Sequence, residues 1–348
     1  MTPQAHRDAL ALSLMPGVGA TEHARRVQEA GSATNALSTF LLSAVMDARA
    51  RADALLQRAI ELDAVCAVPE SVSYPQPLHA LRTVPPVIWM QGTPAFAAQR
   101  SVAIVGTRTA SPGGVRFARE LAEACASAGL CVVSGLARGI DGAAHLGALD
   151  ARGSTVAVLG TGLDIPYPPQ HRALQARIAH DGLLLTEVPP GERGHAGTFP
   201  QRNRLIAALA EVTVVVEAGR ESGALITARV AHDLDRTVCA VPGSVHAPEC
   251  VGSNALIQAG AQVICTPDDL LREFKLERER SAPPQLEGDA ASCWHALEQG
   301  TTDVSSLAAR AGLDIRRANI ALAALELHGL VDIDAGGTVR PLVSVGVG

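Results

Sequence analysis

The chain has 348 residues, of which 47% are hydrophobic and 18% charged, and its formal net charge is -6. That balance buries a large core and excludes a disordered chain, and the length points to two or three domains. A generally basic, nucleic-acid-coating surface is also excluded, so any nucleic-acid site must be a local cluster of arginines.

Only one of the 29 basic residues is a lysine, Lys275. The rest are arginines, whose planar fork grips phosphate and stacks on bases. Cys66, Cys125, Cys131, Cys239, Cys250, Cys265 and Cys293 stand singly, with no C-x-x-C and no zinc spacing. They read as reduced core residues of a cytosolic protein. The amino terminus lacks the basic start and apolar run of a signal peptide, and no run of about 18 uncharged apolar residues could span a membrane.

Residues 1–60 read as a small helical domain of helix-hairpin-helix or SAM-like type, with apolar positions at helical spacing (Leu10, Leu14; Leu37, Phe40, Leu41). The turn Leu14-Met15-Pro16-Gly17-Val18-Gly19 either exposes amides that hold a phosphate or is a tight turn of a structural bundle.

Residues 61–275 alternate β-rich runs with alanine-rich helices. The expected strands are Ala64–Val68, Val87–Met90, Val102–Val105, Cys131–Ser134, Val156–Leu159, Leu183–Thr186, Thr213–Val216, Val238–Val241 and Gln262–Cys265, with helices such as Val115–Ala128 and Gly223–Leu234 between them. Unalternated apolar strands separated by helices predict an α/β fold, an extended Rossmann-like and mostly parallel sheet that binds ligands at its carboxyl ends. Residues 276–290 are polar, contain two prolines and read as a linker. Residues 291–348 read as three helices (291–299, 303–311, 315–328) and a hairpin (Leu330–Asp334, Thr338–Leu342), a winged-helix domain. With eight Asp/Glu and four Arg over 281–348, that module suits a protein contact better than a duplex, although Arg316 and Arg317 open its recognition helix.

Four loops after strands are fitted to an anion. Gly106 to Gly114 offers glycines, the hydroxyls of Thr107 and Ser111, Arg108, and a helix start. Ser134 to Gly142 repeats the pattern with Gly135, Arg138 and Gly139. Here Asp141 reads as a helix cap or a partner for Arg138, with a catalytic acid as the alternative, and His145 as a packed helix residue. The stretch from Gly160 through Tyr167-Pro168-Pro169 leads to Phe199-Pro200-Gln201-Arg202-Asn203-Arg204, where Phe199 either stacks a base or anchors the loop. The last loop, Gly219 to Thr227, carries Ser222. Neither G-x-G-x-x-G nor a P-loop is present. No Ser/His/Asp order, paired-carboxylate motif or metal cluster points to catalysis or a cofactor.

The stretches VAIVGTRTAS, VVSGLARGIDGAAH, VLGTGLDIPYP, LLLTEVPPG, FPQRNRLIAAL, VEAGRESGALITA and GSNALIQAGA resemble, in order, the DNA-processing protein A family (DprA, also called Smf). The resemblance implies a protein, not an enzyme, that binds incoming single-stranded DNA during natural transformation (competence), protects it and loads the RecA recombinase for DNA recombination. It further implies a homodimer, a cytoplasmic setting and no nucleotide cofactor. The implied DNA pocket is Gly106, Thr107, Arg108, Ser111, Ser134, Gly135, Arg138, Gly139, Arg172, Phe199, Arg202, Asn203, Arg204 and Ser222. The implied dimer contact is the segment Asn254–Val263, with Leu256, Ile257 and Val263 as apolar candidates; that helix reads equally as core. Where the family carries lysines, this chain has Pro169 and Ala196, which predicts a shallower salt dependence unless the nearest basic residues, Arg172, Arg193 and His195, take their place. The rival readings are a phosphoribohydrolase of the lysine-decarboxylase-like group, a NAD(P) oxidoreductase and a scaffold that contacts RecA. The first fits poorly at Gly219–Gly223, the second lacks its glycine fingerprint, and the arginine-bearing loops weigh against the third.

Overall fold

The computed structural model describes residues 2–195, 197–277, 286–328, 330–334 and 337–341. They fall into two compact units, one up to Glu277 and one beyond it.

The first unit opens with helices α1 (Pro3–Ser13), α2 (Ala20–Ala30), α3 (Ala33–Leu37) and α4 (Leu42–Glu61). All nine expected strands then form: β1 (Ala64–Ala67), β2 (Ile88–Gly92), β3 (Ser101–Val105), β4 (Cys131–Ser134), β5 (Thr155–Val158), β6 (Leu183–Thr186), β7 (Val212–Val215), β8 (Thr237–Ala240) and β9 (Gln262–Val263). Their order in one sheet is β1-β2-β6-β5-β4-β3-β7-β8-β9. Strands β3 to β9 run parallel, and β2 is antiparallel to both of its neighbours. From β3 the chain steps outward through β4, β5 and β6, then returns to place β7 on the other side of β3. That reversal opens a crevice at the carboxyl ends of β3 and β7, the place where such sheets bind ligands.

The connecting helices are α5 (Pro112–Ser127), α6 (Ile140–Asp150), α7 (Arg172–Asp181), α8 (Thr198–Leu209), α9 (Gly223–Asp233), α10 (Val251–Gln258) and α11 (Pro267–Glu273). Side chains alternate across each strand. On β3, Val102 and Ile104 pack with Leu121 of α5 and Ile140 of α6, while Ala103 and Val105 pack with Leu205 and Ile206 of α8. Both faces are covered, so the strands carry uninterrupted apolar runs.

Helices α1 to α4 share one apolar cluster with the sheet, through Leu10, Leu12, Leu37 and Val45 against Val68, Trp89 and Leu184. Asp8, fully buried on α1, is fixed by Arg49 Nε at 2.8 Å and by Thr34 and Gln4. Burial pulls its pKa upward, but these hydrogen bonds outweigh it and hold the carboxyl below its ordinary value. The α2 start of the hairpin carries Glu22, paired with Arg25 and Arg26.

All seven cysteines are free; six are buried, and burial pushes the thiols of Cys66, Cys125, Cys131 and Cys239 up to about 12. The expectation that all seven lie in the core fails at Cys265, which is exposed after the short edge strand β9. Among the described residues no helix is long and apolar enough to cross a membrane.

The second unit comprises α12 (Gly288–Glu298), α13 (Val304–Ala311), α14 (Ile315–Leu327) and the antiparallel pair β10 (Val331–Ile333) and β11 (Val339–Pro341). Asp303 and Asp314 cap α13 and α14, accepting from Ser306 N and Arg317 N at 2.8 Å each. Trp294, Leu297, Leu307, Leu322, Leu325, Val331 and Val339 form its core. The three-helix-plus-hairpin winged-helix expectation is met. Residues 278–285 of the expected linker and Leu342 of the expected last strand lie outside the described residues.

Candidate nucleic-acid interface

Three adjoining hollows lie at the carboxyl edge of the sheet, and all three are lined by Arg108 and Arg202. The first, about 450 Å³, sits at the β3/β7 reversal between Gly106, Thr107, Asn203, Glu221, Ser222 and Thr227. The second is bounded by Gly135, Arg138, Gly160, Tyr167 and Phe199. The third runs past His195, Phe199 and Pro200 to Ile226.

The two shared arginines have opposite roles. Arg202, on the first turns of α8, is buried. Its Nη1 donates to Gly135 O at 2.6 Å and to Val158 O, and its Nε to Asn203 Oδ1 at 3.2 Å. It thus ties the ends of β4 and β5 to α8. Burial pulls its pKa down to about 10, opposed by the charge of Asp141, so it stays cationic at neutral pH. Asp141 accepts amides of Gly135 at 3.1 Å and Ala137 at 3.4 Å; burial raises its pKa, and Arg202 opposes the rise. The cation whose charge acts on it is Arg202, with no ion pair or hydrogen bond between the two among the described residues, where the sequence suggested Arg138, and it makes no side-chain cap at the start of α6. Arg108, by contrast, makes no ion pair or hydrogen bond among the described residues, and its guanidinium lies 6.0 Å from the centre of the Phe199 ring. Arg138 is exposed and likewise unpaired among the described residues.

Phe199 is half-buried and packs on the ring of Tyr167, with centroids 4.7 Å apart and planes tilted by 39°. It also fills the space above Gly160, where a Cβ would come within 2.7 Å of the ring. Phe199 is therefore both a loop anchor and one wall of the second hollow. Tyr167 stays exposed beside it.

Two glycines are fixed by contact. A Cβ on Gly135 would strike the Arg202 guanidinium at 2.6 Å. Gly139 has φ +75°, and a Cβ there would lie 2.4 Å from Thr107 O, so only glycine lets the β3 and β4 loops touch.

The hydroxyls expected to meet phosphate are already engaged. Ser111 Oγ donates to Glu217 Oε1 at 2.6 Å and accepts from Gly114 N at 3.0 Å. Ser134 Oγ is buried and donates to Ile104 O at 2.7 Å. Ser222 caps α9 through Ala224 N but still lines the first hollow. His145 is buried, as a packed helix residue should be, with Nδ1 2.8 Å from Thr155 Oγ1. Because Thr155 Oγ1 donates to Val132 O, His145 Nδ1 carries the proton.

Some expected residues lie outside the hollows. Arg204 turns away, donating to Thr83 O at 3.0 Å and to Glu187 Oε1 at 2.6 Å. Its place in the pocket is corrected: residues two apart on α8 leave on different faces, so Arg202 and Arg204 cannot both enter it. Arg172 and Arg193 are exposed and line none of the three hollows, while His195 lines the third. Ala196 lies outside the described residues. Of the segment Asn254–Val263, Asn254 is tied to Gly243 by two hydrogen bonds of 3.0 Å, Leu256 packs half-buried on the core, Ile257 is half-buried, and Val263 is exposed on β9.

Sequence reasoning missed Tyr167, Glu217 and Glu221 as site residues. Glu217 did leave a signal: a carboxylate directly after a buried strand must find donors.

The family described as DNA recombination-mediator protein A matches residues 65–275, and the DprA winged helix domain matches residues 277–337. The putative DNA processing protein DprA of Mycobacterium tuberculosis is 41% identical over 263 residues, covering 72% of this chain and 68% of that protein. The DNA processing protein DprA of Streptococcus pneumoniae is 40% identical over 202 residues, 58% of this chain and 71% of that protein. The X-ray structure of the pneumococcal protein superposes with a TM-score of 0.66 at 31% identity over 80% of this chain and all of that one. A structure of the Helicobacter pylori protein, described for its single-stranded DNA binding mode, matches with a TM-score of 0.55 at 29% identity over 60% of this chain and 95% of that one.

Proposed function

The chain belongs to the DNA recombination-mediator protein A family, and from that premise we propose that it binds single-stranded DNA along the three hollows without catalysing a reaction on it. The observation that carries this reading is that Arg108 and Arg138, unpaired among the described residues, line one hollow with the Tyr167–Phe199 aromatic pair. Free guanidinium groups hold phosphates, and an aromatic shelf takes unstacked bases only from a single strand. Thr107, Asn203 and Ser222 line the path, and Gly106, Gly135 and Gly139 let the loops close around it. Ser111, Ser134 and Arg202 build the pocket from beneath. The Helicobacter pylori relative, described by its single-stranded DNA binding, supports the choice of ligand.

The finer parts of the proposal follow from the family resemblance: a homodimer through Asn254–Val263, protection of incoming DNA, and loading of RecA during transformation in the cytoplasm. The division into a helical part (1–60), a Rossmann part (61–275), a linker and a winged helix belongs to it as well. The acidic winged helix serves protein contact: Arg317 is already held by Asp289 in a two-pronged pair at 2.6 and 2.9 Å.

The test is fluorescence anisotropy with labelled oligo-dT and its duplex across a salt series. Wild type should favour the single strand. Phe199→Ala should weaken binding by about 1–3 kcal/mol. Absence of single-strand binding at low salt, or wild-type affinity in Arg108→Ala/Arg138→Ala, would overturn the reading.

A further inference from the structure

We propose that Glu217, assisted by Asp141, fills from inside the anion cradle that a doubly wound fold leaves for a phosphate, so that the crevice refuses free phosphate and nucleotides and is left to DNA held at its rim. At the start of α5, Glu217 Oε2 accepts Ser111 N at 2.9 Å and its Oε1 accepts the Ser111 hydroxyl at 2.6 Å. Gly114 N is taken by Ser111 Oγ at 3.0 Å, and Pro112 has no amide hydrogen. The neighbouring loop is spent in the same way: Thr107 N donates to Glu217 O at 2.7 Å and Thr109 N to Thr107 Oγ1 at 3.3 Å. After β4, Asp141 takes the amides of Gly135 and Ala137.

The cradle is shaped for this carboxylate. A Cβ on Gly114 would lie 2.4 to 2.6 Å from three atoms of the Glu217 carboxyl group, so the glycine is the space it occupies. An incoming phosphate would find the amides of Ser111, Gly114, Thr107, Thr109, Gly135 and Ala137 already taken and the carboxyl groups of Glu217 and Asp141 in its place, with Gly113 N the one amide of this start left without a partner among the described residues. Cellular phosphate and nucleotides, which share the backbone chemistry of DNA, would then not compete with a strand for this crevice. Only that last consequence rests on the proposed DNA binding; the occupied cradle does not.

The experiment is a titration of the whole chain with inorganic phosphate at constant ionic strength, read from the amide resonances of Ser111, Gly113 and Gly114. Wild type should show no saturating shifts, and Glu217→Ala should show them, with affinity raised by about tenfold or more. Saturating shifts at these amides in wild type, or their absence in folded Glu217→Ala, would overturn the proposal. Should Glu217→Ala not fold, Glu217→Ser, which removes the carboxyl group but leaves a small polar side chain, decides by the same readout: saturating shifts support the proposal and their absence overturns it. Oligo-dT binding by wild type is measured separately, so failure of one proposal is distinguishable from failure of the other.

Discussion

Replacing Arg202 by alanine separates a guanidinium that builds the pocket from one that grips DNA. The wild-type group donates to Gly135 O, Val158 O and Asn203 Oδ1 and faces the buried carboxylate of Asp141. Truncation leaves two carbonyls without this donor and Asp141 without its cation. Each buried acceptor left without its donor costs about 1–3 kcal/mol, and the lost charge of Arg202 beside Asp141 adds to that. Asp141 recovers part of that by taking up a proton, since burial already raises its pKa. We expect a loss of about 4 kcal/mol, which lowers the melting temperature of a unit this size by on the order of 10 °C.

Oligo-dT affinity should fall as well, because the ends of β4 and β5 lose their tie to α8. The slope of log affinity against log salt should not change, since no phosphate contact is removed. Arg108→Ala should do the opposite. Its side chain is unpaired among the described residues, so stability should stay within about 0.5 kcal/mol, while the slope shrinks by about 0.7, one single-strand phosphate contact. Thermal unfolding and the anisotropy salt series read both quantities. An Arg202→Ala variant with wild-type stability and a slope reduced by about 0.7 would refute the assignment of the two roles.

Gly139→Ala should cost at least about 2 kcal/mol, because φ +75° strains any side chain and the new Cβ meets Thr107 O at 2.4 Å; thermal unfolding checks it, and a neutral result would mean that the two loops separate freely. His145 is held neutral by burial, with its pKa lowered from 6.5 to about 3. Within that window the unfolded chain binds a proton that the folded chain refuses. Its contribution is thus complete above pH 6.5 and is lost as the pH falls, by up to about 1.4 kcal/mol per unit. Urea unfolding of wild type and His145→Gln between pH 4 and 7 should show a shallower fall for the variant. Arg204→Ala should destabilise by about 2 kcal/mol through Glu187, whose carboxyl burial already pushes upward, and leave the salt slope unaltered. A reduced slope would place Arg204 on the DNA.

The parallel strands were legible because both faces of each are buried, which writes continuous apolar runs such as Val102–Val105 and Val156–Leu159 into the chain. Their order was not legible. Nothing in the runs says that the chain doubles back after β6 or that β2 pairs antiparallel to it, since those choices depend on contacts distant in sequence. The arginines show the same limit at the site. Arg108, Arg202 and Arg204 look alike as loop or helix-start residues. Burial and helix phase alone make the first a cation unpaired among the described residues, the second an internal strut and the third a partner of Glu187. Tyr167, one of two tyrosines, was readable as a motif residue but not as the neighbour of Phe199, some thirty positions further on.

A net charge of -6 sits oddly with DNA binding until the charges are placed. Asp141 and Glu217 point inward, spent on backbone amides, Ser111 and Arg202. Arg108 and Arg138 point into the opening with no carboxylate bonded to either among the described residues. At the second and third hollows, lined by arginines and no carboxylate, the local field is therefore positive although the whole chain is acidic, and the proposed site would engage few phosphates. With two free arginines at about 0.7 each, the salt slope for one protomer should be about -1.4. A strand bridging two protomers should double that to about -2.8 and bind more tightly by effective concentration. Measuring the slope with an oligonucleotide too short to bridge, then with a longer one, counts the gripping arginines in the first case and tests the homodimer in the second. An equal slope for both lengths would mean that each protomer holds its strand alone.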